Sequence, residues 1–134
     1  MRVVVDTGVF SAALSRRRRV RLEAYVALMT GNQIFLAAVT VSELRYGALV
    51  AGWGEPRRTR LEESIQAATV VPVSDKLLTA AAGLRFACRV AGHALHDRRH
   101  ANDLWVAASA IHIGASLLTA DSLFEDVPGL HLHQ

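Results

Sequence analysis

Short apolar runs rich in β-branched residues alternate along this chain with longer segments whose apolar residues recur at helical spacing. The short runs predict strands, and the longer segments predict helices between them. The predicted strands cover residues 3–5, 33–37, 69–73 and 116–119, with a short final strand near 131–133. The predicted helices cover residues 9–14, 20–29, 40–53, 56–67, 75–91 and a segment that starts at 103, with a helical turn after 121.

Strand followed by helix, repeated, is typical of parallel strands joined by right-handed crossover connections. The pattern therefore predicts an α/β fold, a three-layer α/β/α sandwich around a central parallel sheet. No internal repeat or linker composition divides the chain, so residues 1–134 are predicted to form a single domain. Ser74 before a long helix and Gly92 after it are the clearest boundary signals.

Composition indicates a compact protein, with 51% hydrophobic and 20% charged residues. The lone cysteine, Cys88, cannot form an internal disulfide, which suits a reducing compartment. No apolar run approaches the ~18 residues that a membrane span needs. Asp6 interrupts the first apolar run before a signal-peptide core is complete. We therefore expect a cytoplasmic protein without a membrane segment.

The chain is basic, with a net charge of +3 and a pI near 9.7. Lys76 is its single lysine, so arginine carries nearly all of the positive charge. Arginine binds phosphates and carboxylates through two parallel hydrogen bonds, which is compatible with a nucleic acid, an acidic protein partner or an ordinary basic surface. The run Arg16–Arg19 leaves the same choice open.

Four acids occupy equivalent places in the predicted topology. Asp6 ends the first strand, Glu43 lies in the first turn of the helix after the second strand, Asp103 begins a helix, and Asp121 follows the strand at 116–119. Parallel α/β sheets form their sites at the carboxyl ends of the strands, where the following helices begin. We therefore expect carboxylates that are distant in sequence to meet in one cleft.

Helix capping is the alternative explanation for each acid. Thr40 and Glu43 have the spacing of a capping box, and Asn102 could cap the helix in which Asp103 would only occupy the first turn. Capping, however, accepts Ser or Thr equally well, and four carboxylates in one cleft repel one another without a cation between them. Oxygen ligands favour a hard divalent cation such as Mg²⁺ or Mn²⁺, which activates water and stabilises a phosphoryl group.

Four stretches carry a resemblance to a known family: VVVDTGVF, TVSELRYG, HANDLWVAASAIHIG and LLTADSLFEDVPGL, in this order over essentially the whole chain. The chain resembles the PIN-domain family and specifically the VapC-type toxins of bacterial and archaeal toxin–antitoxin pairs. The resemblance implies an Mg²⁺- or Mn²⁺-dependent endoribonuclease that leaves a 3′-hydroxyl and a 5′-phosphate. It also implies an RNA substrate, a homodimer and a VapB-like antitoxin that blocks the site.

By matching position, the resemblance assigns catalytic, metal-binding roles to Asp6, Glu43, Asp103 and Asp121, with Thr7 supporting the first acid. Gly8 and Leu123 stand where the family often has polar residues. These departures leave the number of metal ions, one or two, open.

Other polar residues near Asp103 are candidates for substrate contact. Arg98, Arg99 and Asn102 are close to it in sequence, and the arginines suit a phosphate. His93, His96 and His100 would form a zinc-binding face on one helix, but Gly92 and the polar sequence around them favour loop histidines at the mouth of an RNA site. Arg45 and Tyr46 are candidates for lining an antitoxin groove.

Two other classes of function remain in competition. One is a non-catalytic PIN-like binding protein whose acids only cap helices, and which divalent ions would not stabilise. The other is a different divalent-metal phosphoryl-transfer enzyme on a similar sheet. A haloacid-dehalogenase-type phosphatase is disfavoured because Gly8 replaces its second aspartate, and a Walker-type nucleotide site because no glycine-rich loop ends in GK[ST].

Overall fold

A parallel sheet of four strands lies at the centre of the fold. The computed structural model describes residues 1–14 and 30–134, so the predicted helix 20–29 and the run Arg16–Arg19 lie outside the described residues. The strands are β1 Arg2–Val5, β2 Gln33–Ala37, β3 Thr69–Val71 and β4 Ser116–Leu118. They pair in the order β3-β2-β1-β4, and every pair is parallel. The predicted parallel sheet is confirmed.

Helices of the described residues connect and cover these strands. They are α1 Thr7–Leu14, α2 Ala38–Val50, α3 Glu55–Ala67, α4 Asp75–Ala91 and α5 Ala101–His112. Short 3-10 turns lie at Ala94–His96, Arg98–His100 and Ser122–Phe124. None of the helices in the described ranges is both long enough and apolar enough to cross a membrane.

Two hydrophobic cores lie on opposite faces of the sheet, because successive side chains of a strand point to opposite faces. Val4 of β1 joins the core beneath α4 and α5. Val3 and Val5 join the other core, which receives buried residues of α1, α2 and α3. This arrangement is the predicted three-layer α/β/α sandwich, and it leaves the carboxyl ends of the strands as one common edge.

The boundaries of α4 agree with the prediction. Ser74 Oγ accepts a hydrogen bond from Leu77 N at 3.2 Å, and Gly92 ends the helix in the left-handed conformation with a φ of 71°. The strand before α4 is shorter than predicted, since β3 ends at Val71. Pro72 follows it and has no N–H to donate to a strand neighbour.

The predicted start of α2 is wrong, and so is the capping box. The helix begins at Ala38, after Ala37, which is extended and makes no side-chain cap hydrogen bond. Thr40 therefore lies inside the first turn and is fully buried, while Glu43 falls in the second turn. Strand β2 ends at Ala37 and α2 begins at the next residue, so Thr40 is not the residue that caps the helix. The spacing of Thr40 and Glu43 therefore does not indicate a capping box.

Three smaller predictions also need correction. Asn102 does not cap α5, because the helix begins at Ala101 and Asn102 is already inside its first turn. α1 begins at Thr7, immediately after the strand, and not at 9. The final strand near 131–133 is reduced to a single parallel bridge between Leu117 and Leu132.

Candidate functional site

Asp6 is the most buried of the four acids, with 8% of its surface exposed. Its backbone N–H donates to Leu118 O at 2.9 Å, which ties the end of β1 to the end of β4. Its Oδ1 accepts from Thr7 N and its Oδ2 accepts from Thr119 Oγ1, both at 2.8 Å. Burial raises the pKa of Asp6, the two hydrogen bonds oppose that rise, and the charges of Asp121 and Glu43 add to it. Two hydrogen bonds therefore orient the Asp6 carboxylate, while burial and the neighbouring negative charges disfavour its ionised form.

Glu43 is held in place by the hydroxyl group of Thr7, which is itself bonded to the hydroxyl group of Thr40. Thr7 Oγ1 lies 2.9 Å from Glu43 Oε1 and 3.0 Å from Thr40 Oγ1. A hydroxyl carries one hydrogen and a carboxylate can only accept, so Thr7 donates to Glu43 and Thr40 supplies the hydrogen of the second contact. Thr7 at the start of α1 therefore joins the first acid to the second, through its N–H and its hydroxyl.

Asp103 enters from the first turn of α5 and is 35% exposed. Partial burial raises its pKa, followed by the charges of Asp6, Asp121 and Glu43, while His100 acts in the opposite direction. His100 Nδ1 lies 3.8 Å from Asp103 Oδ2, so the two form an ion pair when the imidazole is protonated. The electrostatic coupling shows that Asp103 lies near the other three acids, although it comes from a separate helix.

Asp121 follows β4 and caps a short turn. Its Oδ1 accepts from Leu123 N at 2.9 Å, and its N–H donates to Thr119 Oγ1 at 3.0 Å. The first bond caps the turn Ser122–Phe124. The second joins Asp121 to the hydroxyl that also holds Asp6, so the capping residue belongs to the same group of side chains.

Sequence-distant acids therefore share one region at the carboxyl edge of the sheet, where the charges of Glu43 and Asp121 add to the raised pKa values of Asp6 and Asp103. In residues 1–14 and 30–134, no Lys or Arg forms an ion pair with any of them. Within the same residues, no three His, Cys, Asp or Glu side chains are placed to hold a metal ion as they stand. The donors suit a hard cation chemically, since they are carboxylate and hydroxyl oxygens whose repulsion a cation would relieve.

The predicted substrate contacts lie beside this group. Arg99 Nη2 is 3.5 Å from Asp97 Oδ2, and Arg98 lines a groove next to α4. Asn102 is exposed in the first turn of α5. The structure thus places these three residues around the start of α5 without an ion pair to the four acids among the described residues.

The histidines take separate positions in and beside two short 3-10 turns, so they do not form the zinc-binding face that the sequence disfavoured. His93 Nδ1 accepts from Leu95 N at 3.0 Å, which leaves its Nε2–H to donate to Glu125 O at 2.8 Å. His96 Nδ1 donates to His93 O at 2.7 Å. His93 has both ring nitrogens engaged and can bind no metal there, whereas His100 faces Asp103.

Two threonines of the site were missed from the sequence. Thr119 bonds Asp6 and Asp121, and the buried Thr40 bonds Thr7. Thr119 ends the strand run SLLT, which is the same strand-end position that singled out the acids. A hydroxyl residue at a strand end is therefore the sequence signal that identifies Thr119, as a carboxylate at a strand end identifies the acids. Thr40 gave no such signal, because its spacing to Glu43 indicated a cap.

Comparison with known proteins gives a consistent result. A PIN-domain family profile matches residues 3–130. Ribonuclease VapC5 of Mycobacterium tuberculosis is 33% identical over 128 residues, which cover 94% of this chain and 87% of that protein. The fold is similar to VapBC2 of Rickettsia felis bound to a promoter DNA fragment, with a TM-score of 0.84, 22% identity and 99% and 98% of the two chains covered. It is also similar to VapBC-1 of nontypeable Haemophilus influenzae, with a TM-score of 0.77, 19% identity and 100% and 98% covered.

Proposed function

The chain belongs to the PIN-domain family, and on that premise we propose that it is an Mg²⁺- or Mn²⁺-dependent endoribonuclease, the toxin of a VapBC-type pair. The observation that carries the proposal is the group of four acids, Asp6, Glu43, Asp103 and Asp121, at one edge of the sheet. Thr7 joins Asp6 to Glu43, Thr119 joins Asp6 to Asp121, and the charges of these three acids raise the pKa of Asp103. Four caps that served only their own helices would not need to be near one another.

The chain's own residues prepare this group for a cation. Thr119 and the N–H of Thr7 orient the two oxygens of Asp6, and the Thr7 hydroxyl orients Glu43. When bound, a divalent cation supplies the Lewis acidity that activates a water molecule and stabilises charge on a phosphoryl group. Asp103 is partly exposed and Asp121 is exposed, so a phosphodiester would approach the group from their side.

Substitution of Glu43 by glutamine tests the proposal with the least structural change. Glutamine keeps an oxygen that accepts from the Thr7 hydroxyl, so the fold should persist while one negative charge is lost. We expect wild-type protein to cleave RNA in Mg²⁺ or Mn²⁺ and to stop in chelator, and Glu43→Gln to be folded and inactive. Asp75→Asn is the matched control, because Asp75 is an exposed first-turn acid of α4 outside the coupled group.

Each competing class gives a different outcome. A non-catalytic binding protein would leave RNA intact in both cations. A different phosphoryl-transfer enzyme would leave RNA intact but hydrolyse a phosphate ester or DNA only when the divalent ion is present. Cleavage by Glu43→Gln and Asp103→Ala at the wild-type rate would show that these acids serve as helix residues alone.

An antitoxin partner has a suitable surface on α2 and α3. Leu49 and Val50 are 66% and 70% exposed, and Tyr46 beside them is 69% exposed. A groove of about 470 Å³ runs next to them, with the Arg45–Glu62 ion pair of 2.7 Å in its wall. Exposed apolar patches bordered by charges are typical of protein-binding surfaces. We propose that a VapB-like antitoxin segment docks here, that the toxin forms a homodimer, and that both act in the cytoplasm.

A further inference from the structure

A second groove runs along α4 on the opposite side of the sheet from the antitoxin surface. Arg85, Phe86 and Arg89 line one end, Arg98 and Trp105 line the other, and His96 lies between them. The two parts measure about 590 and 300 Å³ and share Ala82, Arg85 and His96 as wall residues. We call this surface the α4 groove, and the acid group does not account for it.

The α4 groove combines an exposed aromatic ring with positive charge. Phe86 is 68% exposed, an unusual position for a phenylalanine. Arg85 Nε donates to His96 O at 3.1 Å, which leaves the rest of its guanidinium available, and Arg89 lies one turn further along the exposed face. His96 uses Nδ1 for the carbonyl of His93, so Nε2 remains to meet a ligand.

Negative charge is almost absent from the α4 groove. Among residues 1–14 and 30–134, no acidic residue lines its wider part. The narrower part has Asp97 in its wall, which Arg99 partly neutralises at 3.5 Å. The single acid of α4 is Asp75, at the first residue of the helix. Basic side chains interleaved with an exposed ring are the features by which single-stranded nucleic acids are bound through phosphates and stacked bases.

The position of the α4 groove relates it to the acids. Its narrower part is lined by Ala101, Leu104 and Trp105, from the first turns of the helix that carries Asp103. We propose that the α4 groove binds single-stranded RNA next to the cleavage point, through Arg85, Arg89 and a base stacked on Phe86. The inference rests on the proposed function, since it supplies a binding surface for the same substrate.

A second copy of this chain is the main alternative occupant. In a dimer with two-fold symmetry, the α4 groove of one copy would lie against the α4 groove of the other. That would bring Arg85 and Arg89 of one copy near those of the other, with no acid of α4 beyond Asp75 to pair with them. Like charges at the centre of an interface oppose association, whereas an RNA backbone is complementary to them.

RNA binding without cleavage tests the α4 groove. The probe is a fluorescein-labelled single-stranded RNA of mixed sequence, at least about ten nucleotides long. Its fluorescence anisotropy is measured in the presence of chelator, so that binding is observed without cleavage. We expect Phe86→Ala to weaken binding roughly tenfold, the effect of losing one base stack. Arg89→Gln should lower the slope of log affinity against log salt by about 0.7, the contribution of one phosphate contact on a single strand.

Matched variants outside the groove control for charge and exposure. Arg60→Gln removes an exposed arginine of α3 on the opposite face, and Val73→Ala truncates an exposed apolar residue that precedes α4 and lies outside the groove wall. Both should bind RNA as wild type does, and all variants should keep the wild-type melting temperature. Unchanged RNA affinity and salt slope in Phe86→Ala and Arg89→Gln would overturn the proposal. Conversion of a dimer to a monomer by Phe86→Ala, with RNA affinity unchanged, would show an interface between copies.

Failure of this inference is distinguishable from failure of the nuclease proposal. A wild-type protein that cleaves RNA, with the two groove variants equal to it in affinity, leaves the nuclease standing and removes the groove. A wild-type protein that binds RNA through Phe86 and Arg89 but cleaves nothing in Mg²⁺ or Mn²⁺ keeps the groove and removes the nuclease.

Discussion

Replacement of Thr119 by valine should show how the acid group is held together. Valine has nearly the same shape as threonine, so the change removes the hydroxyl without leaving a cavity. That hydroxyl donates to Asp6 Oδ2 at 2.8 Å and accepts from Asp121 N at 3.0 Å. The first bond lowers the pKa of Asp6 against the rise that burial causes. Its loss should therefore raise the pKa of Asp6 further.

The magnitude follows from the two hydrogen bonds. A bond to a charged group contributes about 1.5–3 kcal/mol and a neutral bond about 0.5–1.5 kcal/mol. Thr119 is only half-buried, so water replaces part of both bonds, and the lower ends of these ranges apply. We expect Thr119→Val to lower the free energy of unfolding by about 2 kcal/mol near neutral pH. Partners that orient metal ligands typically change metal affinity about 10- to 100-fold, so Mn²⁺ binding should weaken by that factor.

Urea denaturation in chelator over a pH series measures the first effect, and calorimetric titration with Mn²⁺ measures the second. The hydroxyl stabilises ionised Asp6, so its contribution is present above the pKa of that carboxyl and is lost as the pH falls through it. The destabilisation by Thr119→Val should shrink accordingly at acid pH. Thr69→Val, at an exposed position of the edge strand β3, is the control and should change neither quantity. Equal destabilisation at all pH values, with unchanged Mn²⁺ affinity, would refute the role given to Thr119.

Three further substitutions test the electrostatics and the fold. Asp103→Asn should raise the stability of the metal-free protein at neutral pH, because the fold raises the pKa of Asp103 and disfavours its charged form. This gain in stability should shrink as the pH falls through the raised pKa, and it should vanish below the ordinary value of 3.8. The same variant should lose most of the metal stabilisation, which for the wild type is about 2.7 kcal/mol at a hundredfold excess over the dissociation constant; a drop in melting temperature in chelator would contradict both expectations. Gly92→Ala should cost about 1 kcal/mol in urea denaturation, because Gly92 has a φ of 71°. Gly83 lies inside α4, where an added methyl group meets no atom within 4 Å, so Gly83→Ala should instead stabilise the protein by about 0.5–1 kcal/mol. If both substitutions changed the free energy of unfolding in the same direction, the helix boundary at Gly92 would be wrong.

The sequence by itself determined the layers of the fold and the region of the site. Hydrophobic periodicity is a local property, so the strands at 2–5 and 33–37 and the long helix after Ser74 could be recognised without any tertiary information. In a parallel α/β fold, chain order alone also places residues that follow strands at one edge of the sheet. For that reason Asp6 and Asp121 could be assigned to one region from their positions in the chain.

Only the tertiary structure decided which polar groups meet. Thr7 bonds Glu43 across 36 positions, and Thr119 bonds Asp6 across 113, and no local pattern encodes such distances. The spacing of Thr40 and Glu43 indicates a capping box as readily as a buried hydroxyl network. The choice depended on where the strand before them ended, and therefore on pairing between β2 and β3, in which Ala37 is paired with Val71. The exposure of Phe86 was likewise decided by packing. The sequence shows that it is an apolar residue of α4, but only the tertiary structure shows which face of that helix is buried and which is exposed.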